Sequence, residues 1–232
     1  MLERQQLDRL WQLLSQTCLA DHLVLVGSAA VYRTPSSLPP LTTDADYAID
    51  QSILRQHLDE FLAQLQSLGF ERVADTSTFV HPDGFSFDLL GLDAPGLGDR
   101  VADFSNFSAM VFEDLCQVVA EPGAIRVGPD QGRVLSPPAL VLSKLRTWRR
   151  EKGIKDKLQA LALVGELGQS AEFQSQLELM VGRLSGEDWQ DLLADAQAAF
   201  IGLGREEGRE YAHYGPLVER GFQMLIALRP AL

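Results

Sequence analysis

The 232 residues suffice for one large domain or two modest ones, and 46% apolar with 22% charged residues is ordinary for a globular chain. Twenty basic against 32 acidic residues leave a net charge of −12, which excludes a protein that coats nucleic acid through its overall charge. No apolar run approaches the roughly 18 residues that span a bilayer, and Met1-Leu2-Glu3-Arg4 lacks the layout of a secretion signal, so a cytoplasmic protein without a membrane partner is expected. Cys18 and Cys116 lie among apolar neighbours and read as buried, reduced thiols. The four histidines are scattered, and no Cys/His grouping has zinc-ligand spacing.

Leu7, Leu10, Trp11, Leu14 and Cys18 recur at helical steps, which predicts an amphipathic helix over residues 2–20. Leu23-Val24-Leu25-Val26 reads as a short buried strand ending at Gly27, and Ser28 to Tyr32 as the start of a helix. Thr34 to Pro40, with three prolines and two serines, is a loop, and Asp44 to Ile49 a second strand. Asp50 can cap a helix whose face is Ile53, Leu54, Leu58, Phe61, Leu62, Leu65 and Leu68, with Gly69 as its stop. Thr78–His81 and Phe85–Gly91 read as strands joined by Pro82-Asp83-Gly84 into a hairpin, and Ala124–Val127 as a further short strand. From Ser136 the pattern turns helical, at about 138–150, 155–167, 171–183, 187–201 and 213–228. The expected fold is α+β: a small mixed sheet with flanking helices over residues 1–133, then a helical bundle over 134–232.

One constellation carries chemistry. Asp44 and Asp46 alternate along a strand and so project from one side. Two carboxylates held side by side repel, and a divalent cation relieves that cost; oxygen-only ligands favour Mg²⁺ or Mn²⁺ over zinc. Gly27 gives a ligand room to approach the backbone, and Ser28 at a helix start offers a hydroxyl and free amides to nucleotide phosphates. Asp88 is an isolated charge in the apolar run Phe85-Ser86-Phe87-Asp88-Leu89-Leu90 and completes a three-carboxylate cluster if its strand lies beside Asp44–Ile49. Singly, each has a plainer reading. Asp44 can cap a turn after Thr42-Thr43, Asp46 can be a surface strand residue, and Asp88 can pair with Arg72.

The order of apolar strand, Gly-Ser, spacer, Asp-x-Asp and later strand Asp resembles the polymerase-β-like nucleotidyltransferase superfamily. Val134-Leu135-Ser136-Pro137-Pro138-Ala139-Leu140-Val141-Leu142-Ser143-Lys144-Leu145, followed by Lys155-Asp156-Lys157, is similar to its AbiEii-type branch, which includes toxins of abortive-infection systems. The resemblance covers roughly residues 20–165. It implies Gly27 and Ser28 for phosphate, Asp44, Asp46 and Asp88 for metal, and Lys144 and Asp156 bordering the nucleotide pocket. The spacer between Ser28 and Asp44 is longer and richer in proline than is usual there, and alanine stands between the two aspartates. The implied activity is metal-dependent transfer of a nucleoside monophosphate from a nucleoside triphosphate such as ATP to an acceptor hydroxyl. The acceptor is an RNA end, such as a tRNA 3′ terminus, or a cationic small molecule such as an aminoglycoside. A non-catalytic nucleotide-binding protein of the same fold is the third reading, and a toxin role would imply an antitoxin protein or kinase as partner.

The segment Lys144–Lys157 is +5, from seven basic residues against Glu151 and Asp156, so the rest of the chain carries −17. It is a candidate phosphate-facing surface for an RNA acceptor; taken alone, Lys144 reads as a solvated helix lysine, and Trp148 beside Arg149-Arg150 as a packed residue or a base-stacking one. Asp83, Asp93, Asp99 and Asp103 lie in turn-like sequence, and Tyr211, His213 and Tyr214 form a cluster at a helix start; none carries an assigned chemistry.

Overall fold

The computed structural model describes residues 1–39, 42–104, 107–128, 130–146, 154–204 and 206–228. The chain divides into two compact units, one of residues 1–34 with 39–136 and one of residues 35–38 with 137–232. It is mixed α/β, with a mixed sheet and a C-terminal helical region. Among the described residues no helix is long and apolar enough to cross a membrane.

The first unit is built on a sheet that is larger than the sequence suggests. Its main path runs β3 (Glu71–Arg72), β4 (Thr78–Val80), β5 (Ser86–Leu92), β2 (Ala45–Asp50), β1 (Val24–Val26), β9 (Arg133–Leu135), β8 (Ile125–Val127). The hairpin β6 (Arg100–Asp103) and β7 (Ser108–Val111) branches from β5 through a parallel β7–β5 contact. The β4–β5 hairpin forms as expected, with Thr78 facing Asp88 and Val80 facing Ser86. Strands β3, β6, β7 and β9 and helix α3 (Glu113–Ala120) are additions to the elements read from sequence.

Alternation along β2 and β5 divides the sheet into two unlike faces. One presents Tyr47, Phe87 and Phe79, which stack or meet edge-on at centroid distances of 6.0 Å (Tyr47–Phe87) and 5.0 Å (Phe79–Phe87). Phe70 adds a contact to Phe87 at 5.4 Å, and Trp11 of α1 (Arg4–Leu14) stacks on Tyr47 at 6.4 Å. Full burial of one such side chain contributes about 1.5–3 kcal/mol, so this aromatic layer anchors the first unit. Helix α1 is shorter than the predicted 2–20, and Cys18 beyond its end is exposed rather than buried; Cys116 is buried. Helix α2 (Gln51–Ser67) starts where the sequence places it, because the Asp50 carboxylate accepts from the N–H groups of Ser52 and Ile53.

The second unit holds α4 (Pro137–Arg146), α5 (Lys155–Leu167), α6 (Ala171–Val181), α7 (Gly186–Ile201) and α8 (Gly215–Ala227). Helix α5 is buried along nearly its whole length, and α8 crosses it at backbone contact. A Cβ on Gly165 would lie 1.9 Å from the Leu217 carbonyl oxygen, and one on Gly221 would lie 1.8 Å from that of Leu161. Only glycine permits this crossing. Residues 35–38 belong to this unit through Glu166 of α5, whose carboxylate accepts from the Ser37 N–H (2.9 Å), the Ser37 hydroxyl (2.6 Å) and the Ser36 hydroxyl.

Candidate functional site

Strand β1 ends at Gly27, where the backbone takes φ 64° and ψ −160°, a region that is essentially glycine-only. The chain then enters a 3-10 helix, Ser28–Arg33. Val26 faces Asp46 on β2, Asp46 faces Asp88 on β5, and Asp88 faces Thr78 on β4. Residues in register on neighbouring strands share a face and lie about 4.8 Å apart along the sheet. Asp46 and Asp88 therefore stand side by side on the face opposite the aromatic layer. Asp46 is buried and Asp88 half-buried.

The Asp46 carboxylate is folded back on Gly27. A Cβ built there would lie 2.0 Å from Asp46 Oδ2, a separation no real side chain tolerates. The glycine is thus required twice, by its dihedrals and by the carboxylate against it. On the other side of the row, the Thr78 hydroxyl donates to Asp88 Oδ1 at 2.6 Å. Arg72, the alternative partner for Asp88, instead places its guanidinium over the Phe107 ring at 5.8 Å. Thr78 is the member of this row that sequence reasoning passed over. The signal was present, since the turn at Pro82-Asp83-Gly84 sets Thr78 and Asp88 equidistant from Asp83 and hence opposite each other.

Asp44 precedes β2 and is half-buried; its Oδ1 accepts from the Thr42 hydroxyl at 2.8 Å. Among the described residues no group of three or more His, Cys, Asp or Glu side chains is gathered to hold a metal ion. The three-acid cluster expected from Asp44, Asp46 and Asp88 is thus reduced in this structure to the in-register pair Asp46 and Asp88. The local reason is that Asp44 lies outside the sheet ladder and takes a hydroxyl partner within its own turn. Two adjacent carboxylates remain a fitting donor set for Mg²⁺ or Mn²⁺, because such ions are commonly held by one or two carboxylates together with substrate phosphates.

Lys144 and Asp156 lie in the helical unit and are partners of each other, Nζ to Oδ1 at 2.8 Å. Lys144 is 3% exposed, which overturns its reading as a solvated lysine. Lys157 is also buried; its Nζ pairs with Asp195 of α7 at 3.0 Å and donates to the Leu145 carbonyl at 3.2 Å. Two of the seven basic residues of Lys144–Lys157 therefore tie helices together instead of facing outward. Lys155 is exposed and Arg146 half-buried. Trp148, Arg149, Arg150, Glu151 and Lys152 lie outside the described residues.

No family model matches this chain, and no curated protein matches it.

Proposed function

We propose that this protein is a metal-dependent nucleotidyltransferase whose nucleotide site lies at the Gly27 end of β1. The observation that carries the reading is the register of Asp46 with Asp88, combined with a glycine turn against the Asp46 carboxylate and a serine at the start of the following helix. In this reading phosphate oxygens are met at Gly27 and Ser28, where the chain turns from β1 into the 3-10 helix. Asp46 and Asp88 hold Mg²⁺ or Mn²⁺, and the Thr78 hydroxyl fixes the rotamer of Asp88. A cation held by Asp46 and Asp88 would supply charge neutralisation for a triphosphate and a lowered pKa for an attacking hydroxyl. The chain's own share of catalysis is positioning.

The inward turn of Lys144 and Lys157 removes part of the surface offered for an RNA acceptor, which favours a small cationic acceptor suited to a chain of −12. A second reading, a nucleotide-binding protein without transfer activity, draws on Asp44, which is engaged by Thr42 instead of standing in the acid pair. Pyrophosphate release with radiolabelled nucleoside triphosphate, Mg²⁺ or Mn²⁺ and a panel of RNA and aminoglycoside acceptors separates the readings. Asp46→Ala or Asp88→Ala is expected to lower transfer by at least roughly a hundredfold, since a metal supplies several kcal/mol and each ~1.4 kcal/mol is tenfold. A few-fold loss removes the metal assignment, and nucleotide binding without release on any acceptor selects the second reading.

A further inference from the structure

Among the described residues, three buried side-chain polar atoms have no hydrogen bond of good geometry: Arg33 Nη2, which nevertheless pairs with Asp130, and Arg126 Nε and the Ser136 hydroxyl. All three belong to one corner of the first unit. Arg126 on β8 faces Val134 on β9, and Ser136 follows β9 with its N–H bonded to the Ala124 carbonyl at 2.7 Å. Alternation carries the side chains of Arg126 and Ser136 to the same side. Diagonal neighbours of this kind have Cβ atoms about 7–8 Å apart, within the reach of an arginine. Arg126 also donates through Nη2 to the Arg33 carbonyl. Because β9 runs parallel to β1, with Leu25 facing Val134, Ser136 sits at the same end of the sheet as Gly27.

The charges at this corner are not balanced alike. Arg33 is matched by Asp8 (2.7 Å) and Asp130 (2.6 Å). Among the described residues, Arg126 has its one hydrogen bond to a carbonyl and forms no ion pair, in a chain with twelve more acids than bases. Desolvation alone depresses its pKa, with no carboxylate opposing that effect. A half-buried guanidinium held this way costs free energy unless an anion meets it. We infer that Arg126 and Ser136 form an anion site that takes a phosphate group, with the Arg126 guanidinium and the Ser136 hydroxyl as its donors. Neither residue belongs to the Asp46–Asp88 pair, so the site requires no metal and stands apart from the proposed nucleotidyl transfer.

The test is thermal unfolding and calorimetric titration of the full chain with inorganic pyrophosphate in EDTA, with a nucleoside triphosphate and the bare nucleoside as further arms. Wild type and Asp46→Ala are expected to bind pyrophosphate equally. Arg126→Met is expected to bind at least roughly tenfold more weakly, as the loss of a charge-assisted hydrogen bond implies, and Ser136→Ala several-fold more weakly. Without ligand, Arg126→Met is expected to melt at or above the wild-type temperature, because a half-buried charge without a balancing acid has been removed. Binding of the triphosphate but not the nucleoside, without metal, identifies the phosphate group as the part recognised. The proposal is overturned if wild type shows no metal-free pyrophosphate binding, or if Ser136→Ala and Arg126→Met both retain wild-type affinity. Should Arg126→Met fail to fold, an unchanged affinity in Ser136→Ala alone overturns the two-donor site. Loss of the metal-dependent part of nucleotide binding in Asp46→Ala, with metal-free pyrophosphate binding intact, keeps the two sites distinct.

Discussion

Replacing Gly27 by alanine tests the close approach at the heart of the site. The added Cβ meets Asp46 Oδ2 at 2.0 Å and Asp46 Cγ at 2.9 Å, and the residue must hold φ 64° with ψ −160°. The backbone conformation costs about 1–3 kcal/mol for a residue with a side chain. Asp46 must rotate away, at about 1 kcal/mol for an off-rotamer carboxylate. The sum is about 2–4 kcal/mol, or on the order of 4–16 °C in a chain of this size. The contact is isolated by a double-mutant cycle read by urea unfolding. In an Asp46→Ala background the clash is absent and Gly27→Ala should cost about 1 kcal/mol less than in wild type. Equal costs in both backgrounds would refute the claim that the Asp46 carboxylate is held against Gly27.

Two further outcomes concern pH. Burial pushes the Tyr47 phenol far above its ordinary range, with Arg33 drawing it down and Asp130 raising it. The neutral form is thus favoured in the folded state, so stability is full below the unfolded value of about 10 and falls as pH rises above it. Tyr47→Phe should flatten that alkaline limb, and an unchanged limb in urea melts above pH 10 counts against the burial of this phenol. Burial raises the Glu166 carboxyl, but its hydrogen bonds from Ser36 and Ser37 outweigh that and hold it below its ordinary value. Its contribution is present above the unfolded value of about 4.3 and is lost as pH falls through the folded one. Glu166→Gln should therefore shrink the acid-side loss of stability, and protease cleavage near 35–38 should respond less to acid than in wild type.

Local signals were legible wherever a residue acts on its own neighbours. Asp50 caps α2, and the Pro82-Asp83-Gly84 turn fixes the β4–β5 register that brings Thr78 to Asp88. The Asp46–Asp88 pairing followed from reading two strands as neighbours. What escaped depends on distant partners. Lys144 looks like a solvated helix lysine until Asp156, on the next helix, is seen to meet it. Strands β6 and β7 are short and edge-like, with Val101 and Met110 exposed, so their apolar pattern is weak. Asp44 alternates with Asp46 in sequence, yet it lies before the strand begins, where the Thr42 hydroxyl competes for its carboxylate. The half-burial of Arg126, with no acid partner among the described residues, has no counterpart in its sequence neighbourhood and follows from the β8–β9 pairing.

The central claim is that Gly27, Ser28, Asp46 and Asp88 form a metal-dependent nucleotide site. It is tested most directly by thermal unfolding with each nucleoside triphosphate, with and without Mg²⁺ or Mn²⁺, for wild type and Asp46→Ala. At about 100 times Kd, binding adds about 2.7 kcal/mol, or roughly 5–10 °C here. The expected result is a metal-dependent increment of that size, over any metal-free shift, that vanishes in Asp46→Ala. A metal-dependent increment that survives in Asp46→Ala, or no metal-dependent increment with any nucleotide, would contradict it.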